Sequence, residues 1–281
     1  MNIGFLGLGS LGTLLAYHCR DQMLFALPKT PLASVKLTLK NHTELWQAHL
    51  ACWQGEPLDW LVVSTKAAQT LPALSAWATH LPKVKNILLL QNGMGQQEQA
   101  ARWLSHASLS CKLWAAMSTE GAYKEGNTVV YAGVGHTLIG LWPDGTATAP
   151  LLPSCQFTPS IKQAILGKLA VNAVINPLTG FYRCKNGELV TNPPYRQKLV
   201  ALSQEVAELY RKLGWHLPQD LAQLVEDVAT KTAANTSSTL QDILANRPTE
   251  LAYISGFLLE QAKAISHPLP ITQQLYATFS A

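Results

Sequence analysis

The glycine-rich turn near the N-terminus constrains the fold of this chain more than any other feature. Gly7, Gly9 and Gly12 follow the apolar run Ile3 to Leu6, and an apolar pattern of helical period continues from Leu11 to Cys19. In such a strand–turn–helix unit the glycines permit a tight bend, close approach of a pyrophosphate and close packing of helix on strand. The helix N-terminus then offers N–H groups to the phosphates. We therefore predict a dinucleotide-binding turn made of Gly7, Leu8, Gly9, Ser10, Leu11 and Gly12.

The first half of the chain alternates short apolar runs with patterns of helical period. A helix is predicted over Lys66 to Leu81. This alternation favours a parallel sheet covered on both faces. The β-type runs Thr128 to Tyr131 and His136 to Ile139 predict antiparallel strands at the sheet edge, and residues 142–159 are predicted to be partly loop. The other predicted strands are Ile3 to Leu6, Leu24 to Leu27, Leu37 to Leu39, Trp60 to Ser64 and Asn86 to Leu90.

After residue 160 strand signals nearly disappear and the chain is helical in period. Gly214 predicts the end of one helix, and Pro248 suits the first turn of another. The predicted helices are Ile161 to Cys184, Arg196 to Leu213, Leu221 to Thr232, Ser237 to Ala245 and Thr249 to Ile265. We therefore predict an α/β Rossmann-type dinucleotide-binding domain over residues 1–159 and an all-α domain over 160–281, with substrate between them.

Composition excludes several classes of function. Hydrophobic residues make up 48% of the chain, charged residues 14%, and the net charge of +4 includes no dense Lys/Arg run, so neither nucleic acid nor a membrane surface is an expected partner. No signal peptide is evident, and no run approaches the roughly 20 apolar residues that span a bilayer. The scattered cysteines form no CxxC pair or metal cluster, which favours reduced thiols in the cytoplasm; they are Cys19, Cys52, Cys111, Cys155 and Cys184.

The region after the second predicted strand bears on the choice of cofactor. Sites that prefer NAD place Asp or Glu there to hold the ribose 2′-hydroxyl. This chain has Pro28, Lys29 and Thr30 instead, and Lys29 with Thr30 suits the 2′-phosphate of NADP. Lys66, at the end of a later strand, is a second candidate for the ligand crevice. The alternative for both lysines is that they are simply solvated.

A polar stripe runs along the first helix of the second half. Lys168, Asn172 and Asn176 are spaced by four residues and therefore share one side of the helix, amid almost entirely apolar neighbours. Because burying such groups without partners is costly, something polar is expected to meet them. That partner is either a ligand or a second helix, in which case the stripe is a structural polar seam. Pro177 is expected to kink the helix and free a carbonyl.

With these residues the chain closely resembles the ketopantoate reductases (2-dehydropantoate 2-reductases), NADPH enzymes of pantothenate and coenzyme A synthesis. The run Lys168 to Thr179 is a much more specific match than the glycine turn. The resemblance implies a C-terminal domain like that of 6-phosphogluconate dehydrogenase. Pro28-Lys29 stands where the family often has an arginine. The other matching stretches are Gly7 to Gly12, Ser64 to Ala67, Gln91 to Gly95, Asn186 to Leu189, Asn235 to Asp242 and Glu250.

The resemblance also implies a role for each matched residue. Lys168 would be the general acid that protonates the keto oxygen, and Glu250 would contact the substrate hydroxyl and help organise the lysine. The ammonium would also stabilise the alkoxide that hydride transfer leaves. Asn92 and Asn172 would lie at the nicotinamide and the reacting carbonyl, and Lys66 at the cofactor. The residues implied to hold the two ends of the substrate are Asn176, Asn186 and Ser238.

Two other functions remain open from the sequence. The chain could reduce a related 2-keto or branched hydroxy acid, or it could be a catalytically silent NADP-binding protein. Against the silent protein, Lys168, Asn172 and Glu250 are all present. The residues alone also allow Glu250 to be an ordinary carboxylate in the first turn of a helix. The expected partner is a small keto acid, and the assembly is left open between a monomer and a homodimer.

Overall fold

The computed structural model describes residues 1–30, 32–146 and 151–279. Part of the predicted loop over 142–159 therefore lies outside the described residues. The chain divides into two compact units. The first consists of Met1–Gln91 and Gln96–Ala164, and the second of Asn92–Gly95 and Ile165–Ala281. The short segment Asn92–Gly95 thus belongs with the helices of the second unit although it follows a strand of the first.

Where the structure describes it, the first unit is built on one sheet of eleven strands in the order β11-β10-β7-β6-β5-β1-β2-β4-β3-β9-β8. In this order the five strands β7, β6, β5, β1 and β2 are each parallel to the next, and β2 is parallel to β4. β3 runs antiparallel to β4. The helices of this unit are α1 (Ser10–His18), α2 (Thr70–Ala76) and α3 (Gln96–His106). The strands are β1 (Asn2–Leu6), β2 (Met23–Ala26), β3 (Ser34–Lys40), β4 (Leu45–Cys52), β5 (Leu58–Val63), β6 (Val84–Leu89), β7 (Lys112–Ser118), β8 (Gly121–Glu125), β9 (Thr128–Gly133), β10 (Thr137–Leu141) and β11 (Cys155–Phe157).

The central strands are apolar on both faces, as strands in the middle of a parallel sheet must be. The core cluster under α1 includes Phe5, Trp60 and Trp114, each no more than 1% exposed. The two tryptophan rings lie 5.0 Å apart, centroid to centroid. Because Leu15 and Ala16 of α1 belong to the same cluster, burial of this core fixes the helix that follows the glycine turn against the sheet.

The ribbon formed by β8 and β9 packs against α1. Only Thr119 and Glu120 connect β7 to β8. A second core cluster joins Leu14 and Tyr17 of α1 to Leu39 of β3 and Val129 of β9. α1 is therefore held by the three strands at one end of the strand order, β3, β9 and β8, in addition to the central core.

The second unit is helical throughout, apart from loops, in the part of the chain that the structure describes. The buried hydroxyl of Tyr210 donates to the carbonyl of Leu166 at 2.8 Å and ties two long helices together. Gly214 ends one helix in the left-handed conformation, with φ +66°. The helices are α4 (Ile161–Tyr182), α5 (Glu188–Thr191), α6 (Pro193–Leu213), α7 (Leu221–Lys231), α8 (Ser238–Leu244), α9 (Ser255–Ala264) and α10 (Pro270–Ala277).

The observed order of elements confirms the predicted fold class, an α/β domain followed by an all-α domain. The predicted extents of two long helices were wrong. The helix expected over Lys66 to Leu81 is a 3₁₀ turn, the short helix α2 and a second 3₁₀ turn, Ala78–Lys83, that contains Pro82. The helix expected from Thr249 begins only at Ser255, so Pro248 lies outside it and a separate 3₁₀ turn covers Leu251–Tyr253.

The two runs predicted as edge strands are β9 and β10. Each has an antiparallel neighbour, as predicted, β8 for β9 and β7 for β10. The edge placement was wrong, because each is second from one end of the strand order, with β8 or β11 outside it. Pro177, which was expected to kink its helix, lies inside α4, which continues through it as one helix of 22 residues.

The expectation that no segment is long and apolar enough to cross a membrane was wrong for α4. By length and hydropathy this is the one such helix in the described ranges, and 67% of its most apolar window is buried in the protein. Such burial is typical of the core helix of a globular unit. Among the residues that the structure describes, no group of three or more His, Cys, Asp or Glu side chains could hold a metal ion.

Candidate functional site

The glycine turn lies between β1 and α1, at the carboxyl edge of the parallel strands. Gly7 has φ +93°, and a side chain there would come within 2.7 Å of the backbone nitrogen of Thr65. A side-chain carbon at Gly12 would overlap with the hydroxyl of Ser64, which donates a short hydrogen bond to the carbonyl of Gly7. The loop after β5 therefore packs directly against the glycine turn. This close packing is possible because Gly7 and Gly12 have no side chains.

The N-terminus of α1 offers unshielded N–H groups. Gly9 is its N-cap and provides no side-chain hydrogen bond, and no acidic residue occupies the first turn. A side chain at Gly9 would meet nothing closer than the Ser64 carbonyl at 4.0 Å, so this side of the turn is open. Leu8 and Leu11 pack against the sheet core, which leaves Ser10 and the backbone to face a ligand. These features fit a pyrophosphate.

Lys29 and Lys66 follow the two strands that flank β1. Lys29 is exposed, two residues beyond the buried Leu27 that follows β2. Lys66 is half-buried and is the N-cap of the 3₁₀ turn after β5. Because β2, β1 and β5 are parallel, both lysines lie at the carboxyl edge where the glycine turn lies. In α/β sheets of this kind ligands bind at that edge.

Lys168 and Glu250 are linked through the amide of Asn92. The Lys168 ammonium donates to Asn92 Oδ1 at 2.8 Å, and Asn92 Nδ2 donates to Glu250 Oε2 at 3.3 Å. These residues are 76 and 158 positions apart from Asn92 in the sequence. The two hydrogen bonds orient the amide, because only its oxygen can accept from an ammonium and only its nitrogen can donate to a carboxylate.

Burial changes the acidity of Lys168. Loss of hydration lowers its pKa from the ordinary lysine value of 10.5 to about 8, and the negative charge of Glu250 opposes this shift. The group is therefore still mostly an ammonium at neutral pH. It gives up its proton more readily than a solvated lysine, which is what a general acid requires.

The segment that carries Asn92 is fixed by the turn after Glu250. The backbone N–H of Met94 donates to the carbonyl of Tyr253 at 2.9 Å. Gly93 has φ +83°, and its lack of a side chain gives Tyr253 room to approach. The stretch Gln91 to Gly95 matches the family in sequence, but its contact with Tyr253 was not predicted. The spacing of glycines around Met94 was the available signal for a sharp backbone turn.

The residues implied to bind substrate lie on three elements of the second unit. Asn172 is half-buried one helical turn after Lys168, and Asn176 is buried a turn further on. Asn186 is also buried; its Nδ2 donates to Thr232 at 2.9 Å, whereas its Oδ1 has no hydrogen-bond partner among the described residues. Ser238 is the exposed first residue of α8. Glu250 precedes a 3₁₀ turn, so it is not a carboxylate in the first turn of α9.

The fold and the glycine turn define a protein of the dinucleotide-binding α/β class with a helical C-terminal unit. Residues 3–144 match the family model described as ketopantoate reductase PanE/ApbA, and residues 160–281 match the model of its C-terminal part. The chain belongs to the ketopantoate reductase family.

Individual relatives agree with this assignment. The 2-dehydropantoate 2-reductase of Yersinia pestis is 35% identical, over 98% of this chain and 93% of its own length. Among solved structures, the probable 2-dehydropantoate 2-reductase of Bacillus subtilis superposes with a TM-score of 0.81 at 26% identity and covers 99% of both chains. A D-mandelate dehydrogenase in a ternary structure with NADH has a TM-score of 0.84 at 19% identity, covering 98% of this chain and 96% of its own, and shows likeness of fold alone.

Proposed function

We propose that this chain reduces 2-dehydropantoate (ketopantoate) to pantoate with NADPH, in the biosynthesis of pantothenate and coenzyme A. The observation that carries the proposal is the Lys168 ammonium, which has a pKa of about 8 and is tied through Asn92 to Glu250. The full-length similarity to curated 2-dehydropantoate 2-reductases supports the same reaction. We assign NADP binding to residues 1–159, substrate binding and proton donation to 160–281, and the activity to the cytoplasm, by a monomer or a homodimer.

The glycine turn fits the cofactor. The open side of Gly9 and the uncapped N-terminus of α1 would receive the pyrophosphate, with Ser10 beside it. Lys29 and Lys66 would supply positive charge for the 2′-phosphate at the same edge of the sheet. When bound, NADPH supplies the hydride. No carboxylate follows β2 at Pro28, Lys29 or Thr30 to hold a 2′-hydroxyl instead.

Lys168 would supply the proton. A carbonyl oxygen that becomes an alkoxide attracts the ammonium, and transfer of the proton from Nζ completes the hydroxyl group. Asn92 holds Nζ in place by its 2.8 Å contact, so the ammonium is oriented before substrate arrives. Such prior orientation costs no reorganisation during the reaction.

Glu250 would keep Lys168 charged. Its carboxylate raises the pKa that burial lowers, and its contact with Asn92 fixes the amide between them. We also assign it a contact with the substrate hydroxyl, and assign the two ends of the substrate to Asn176, Asn186 and Ser238 with Asn172 beside the reacting carbonyl. Asn186 Oδ1 is buried and has no hydrogen-bond partner among the described residues, so an acceptor at this position is left for a polar group to satisfy.

The test is the oxidation of reduced nicotinamide by purified protein. We expect rapid absorbance loss with 2-dehydropantoate and NADPH, and a much lower kcat/KM with NADH. A panel of other 2-keto acids in parallel decides whether a related keto acid is preferred, because only ratios of kcat/KM define specificity. Tight NADPH binding without turnover of any keto acid would contradict the proposal and indicate a silent binding protein.

A further inference from the structure

Two buried hydroxyl groups connect α4 to α8. Thr179 on α4 is 0% exposed, and Ser237, the N-cap of α8, is 8% exposed. Their oxygens lie 2.7 Å apart. These residues are 58 positions apart in the sequence. The resemblance to the family assigns no role to either hydroxyl group.

The hydrogen bonds of this pair form one directed chain. The N–H of Leu240 donates to Ser237 Oγ at 3.1 Å, which is the capping bond of α8. Thr179 Oγ1 lies 2.7 Å from the carbonyl oxygen of Ile175, to which it donates. Because each hydroxyl has one proton, Ser237 must then donate to Thr179. Removing the Thr179 hydroxyl would leave the buried Ser237 proton without this acceptor.

Both hydroxyl groups lie beside residues assigned to substrate. Thr179 Oγ1 is 3.1 Å from the backbone oxygen of Asn176, one turn back on α4. Ser238 directly follows the capping serine and is exposed. α8 also approaches α4 closely at Gly180, where an added side chain would come within 3.0 Å of Ile243. The position of Ser238 relative to Asn176 therefore depends on the contact at Thr179.

We propose that Thr179 is a positioning residue for substrate binding, whose hydroxyl holds Ser237 and hence the neighbouring Ser238 at a fixed distance from Asn176. Thr179 does not touch the substrate. The proposal rests on the proposed function, because it needs Asn176 and Ser238 to hold the substrate. It goes beyond that function by making the separation of two substrate contacts depend on a single buried hydroxyl.

Two substitutions separate the hydroxyl from the packing. Thr179→Val keeps the shape and removes the hydroxyl, whereas Thr179→Ser keeps the hydroxyl and removes a methyl group. We expect Val to raise KM for 2-dehydropantoate roughly tenfold, the effect of about one buried hydrogen bond, with kcat and the Kd of NADPH changed less than about twofold. Ser should return KM to within about twofold of the wild-type value. Ser203→Ala is the matched control, because it removes another buried hydroxyl of this unit that has no hydrogen-bond partner among the described residues.

Each result decides the proposal. An unchanged KM in Thr179→Val would overturn it, even if the melting temperature fell, since the hydroxyl would then serve stability alone. A KM raised in Ser as much as in Val would assign the effect to packing and would also overturn it. If Thr179→Val does not fold, Ser237→Gly removes the other hydroxyl at little cost to the helix cap and must raise KM in the same way. Failure of the wild-type protein to reduce 2-dehydropantoate would instead refute the proposed function.

Discussion

A lysine becomes a stronger acid when its ammonium loses water, and Lys168 shows this effect with an opposing charge nearby. Burial lowers its pKa to about 8, whereas the charge of Glu250 works in the other direction. Reduction of a ketone needs a group that is charged before the reaction and able to lose its proton during it. Burial and the charge of Glu250 act in opposite directions on the pKa of Lys168. The resulting pKa leaves the group charged at neutral pH and still able to lose its proton.

This balance predicts a pH dependence. Under the proposal that Lys168 donates the proton, kcat/KM should fall above about pH 8, by about tenfold per unit, because the lysine then loses its proton. Glu250→Gln removes the charge that raises the pKa of Lys168, so the decline should begin at a lower pH than in the wild type. The measurement is kcat/KM for 2-dehydropantoate across pH in both proteins, each relative to its own maximum. If kcat/KM began to fall at the same pH in both proteins, Glu250 would not influence the pKa of Lys168.

Among the elements, α10 depends on a carboxylate from another helix. Glu205 of α6 accepts from the backbone N–H groups of Ile271 and Thr272, each at 2.8 Å, and from the Thr272 hydroxyl. The N-cap of α10, Leu269, has no side chain that could do this. Glu205 therefore caps α10 from a distance, and its charge suits the positive end of the helix.

Glu205→Ala should destabilise the protein by about 2 kcal/mol, because it removes hydrogen bonds to a charged acceptor and leaves N–H groups at a helix end. Urea denaturation of both proteins measures the difference. Glu208→Ala is the control, since Glu208 is exposed and pairs with the exposed Arg211 on the surface of the same helix, and it should change the midpoint little. Equal effects of the two substitutions would show that the capping contacts contribute nothing.

Some helices and strands could be predicted from local sequence pattern alone. The glycine turn, β1 and α4 could be predicted because their signals lie within a few residues of one another. The break before α9 could not be predicted, because its cause is a distant contact: the carbonyl of Tyr253 accepts from Met94. β4 and α10 were missed as well; the first is half-exposed along its length, and the second depends on Glu205 for its cap.

At the scale of the whole molecule, the site is assembled from residues that no local pattern connects. Lys168 and Asn176 could be placed on one helix side from their spacing, and the resemblance implied that Glu250 helps to organise the lysine. Neither indicated the hydrogen bonds that join Lys168 to Glu250 through Asn92. The structure supplies the physical reason, since the Gly93 turn brings Asn92 beside Tyr253 and hence beside Glu250. Thr179 and Ser237 both lie in stretches that match the family, but nothing in the sequence indicated that their hydroxyl groups meet.

A second long-range link contributes to the stability of the first unit. Glu120, after β7, accepts from Tyr131 of β9 at 3.0 Å and lies 2.9 Å from His18 Nε2 at the end of α1. Burial alone would raise the pKa of Glu120, but the hydrogen bond and charge of His18, together with the bonds from Tyr131 and Thr137, hold it below the usual 4.5. A carboxyl whose pKa is lowered on folding stabilises the folded state above its unfolded pKa and loses that contribution as pH falls through the folded value.

Glu120→Gln should therefore lower the free energy of unfolding at neutral pH by about 1–3 kcal/mol, since hydrogen bonds to a charged group are lost. The difference from wild type should shrink as the pH falls below about 4.5, where Glu120 becomes protonated in the unfolded chain. Denaturation series at neutral and acid pH measure both values. A difference that does not depend on pH would mean that the charge of Glu120 does not matter.

The central claim is that Lys168 donates the proton, and single-turnover kinetics of Lys168→Ala test it most directly. With NADPH and 2-dehydropantoate saturating, we predict a rate of reduction about 10²–10⁴-fold below wild type, the usual contribution of a positioned acid, while the Kd of NADPH stays within about threefold. Lys162→Ala, which removes an exposed lysine from the same helix, should react at the wild-type rate. Near-normal turnover in Lys168→Ala would contradict the account.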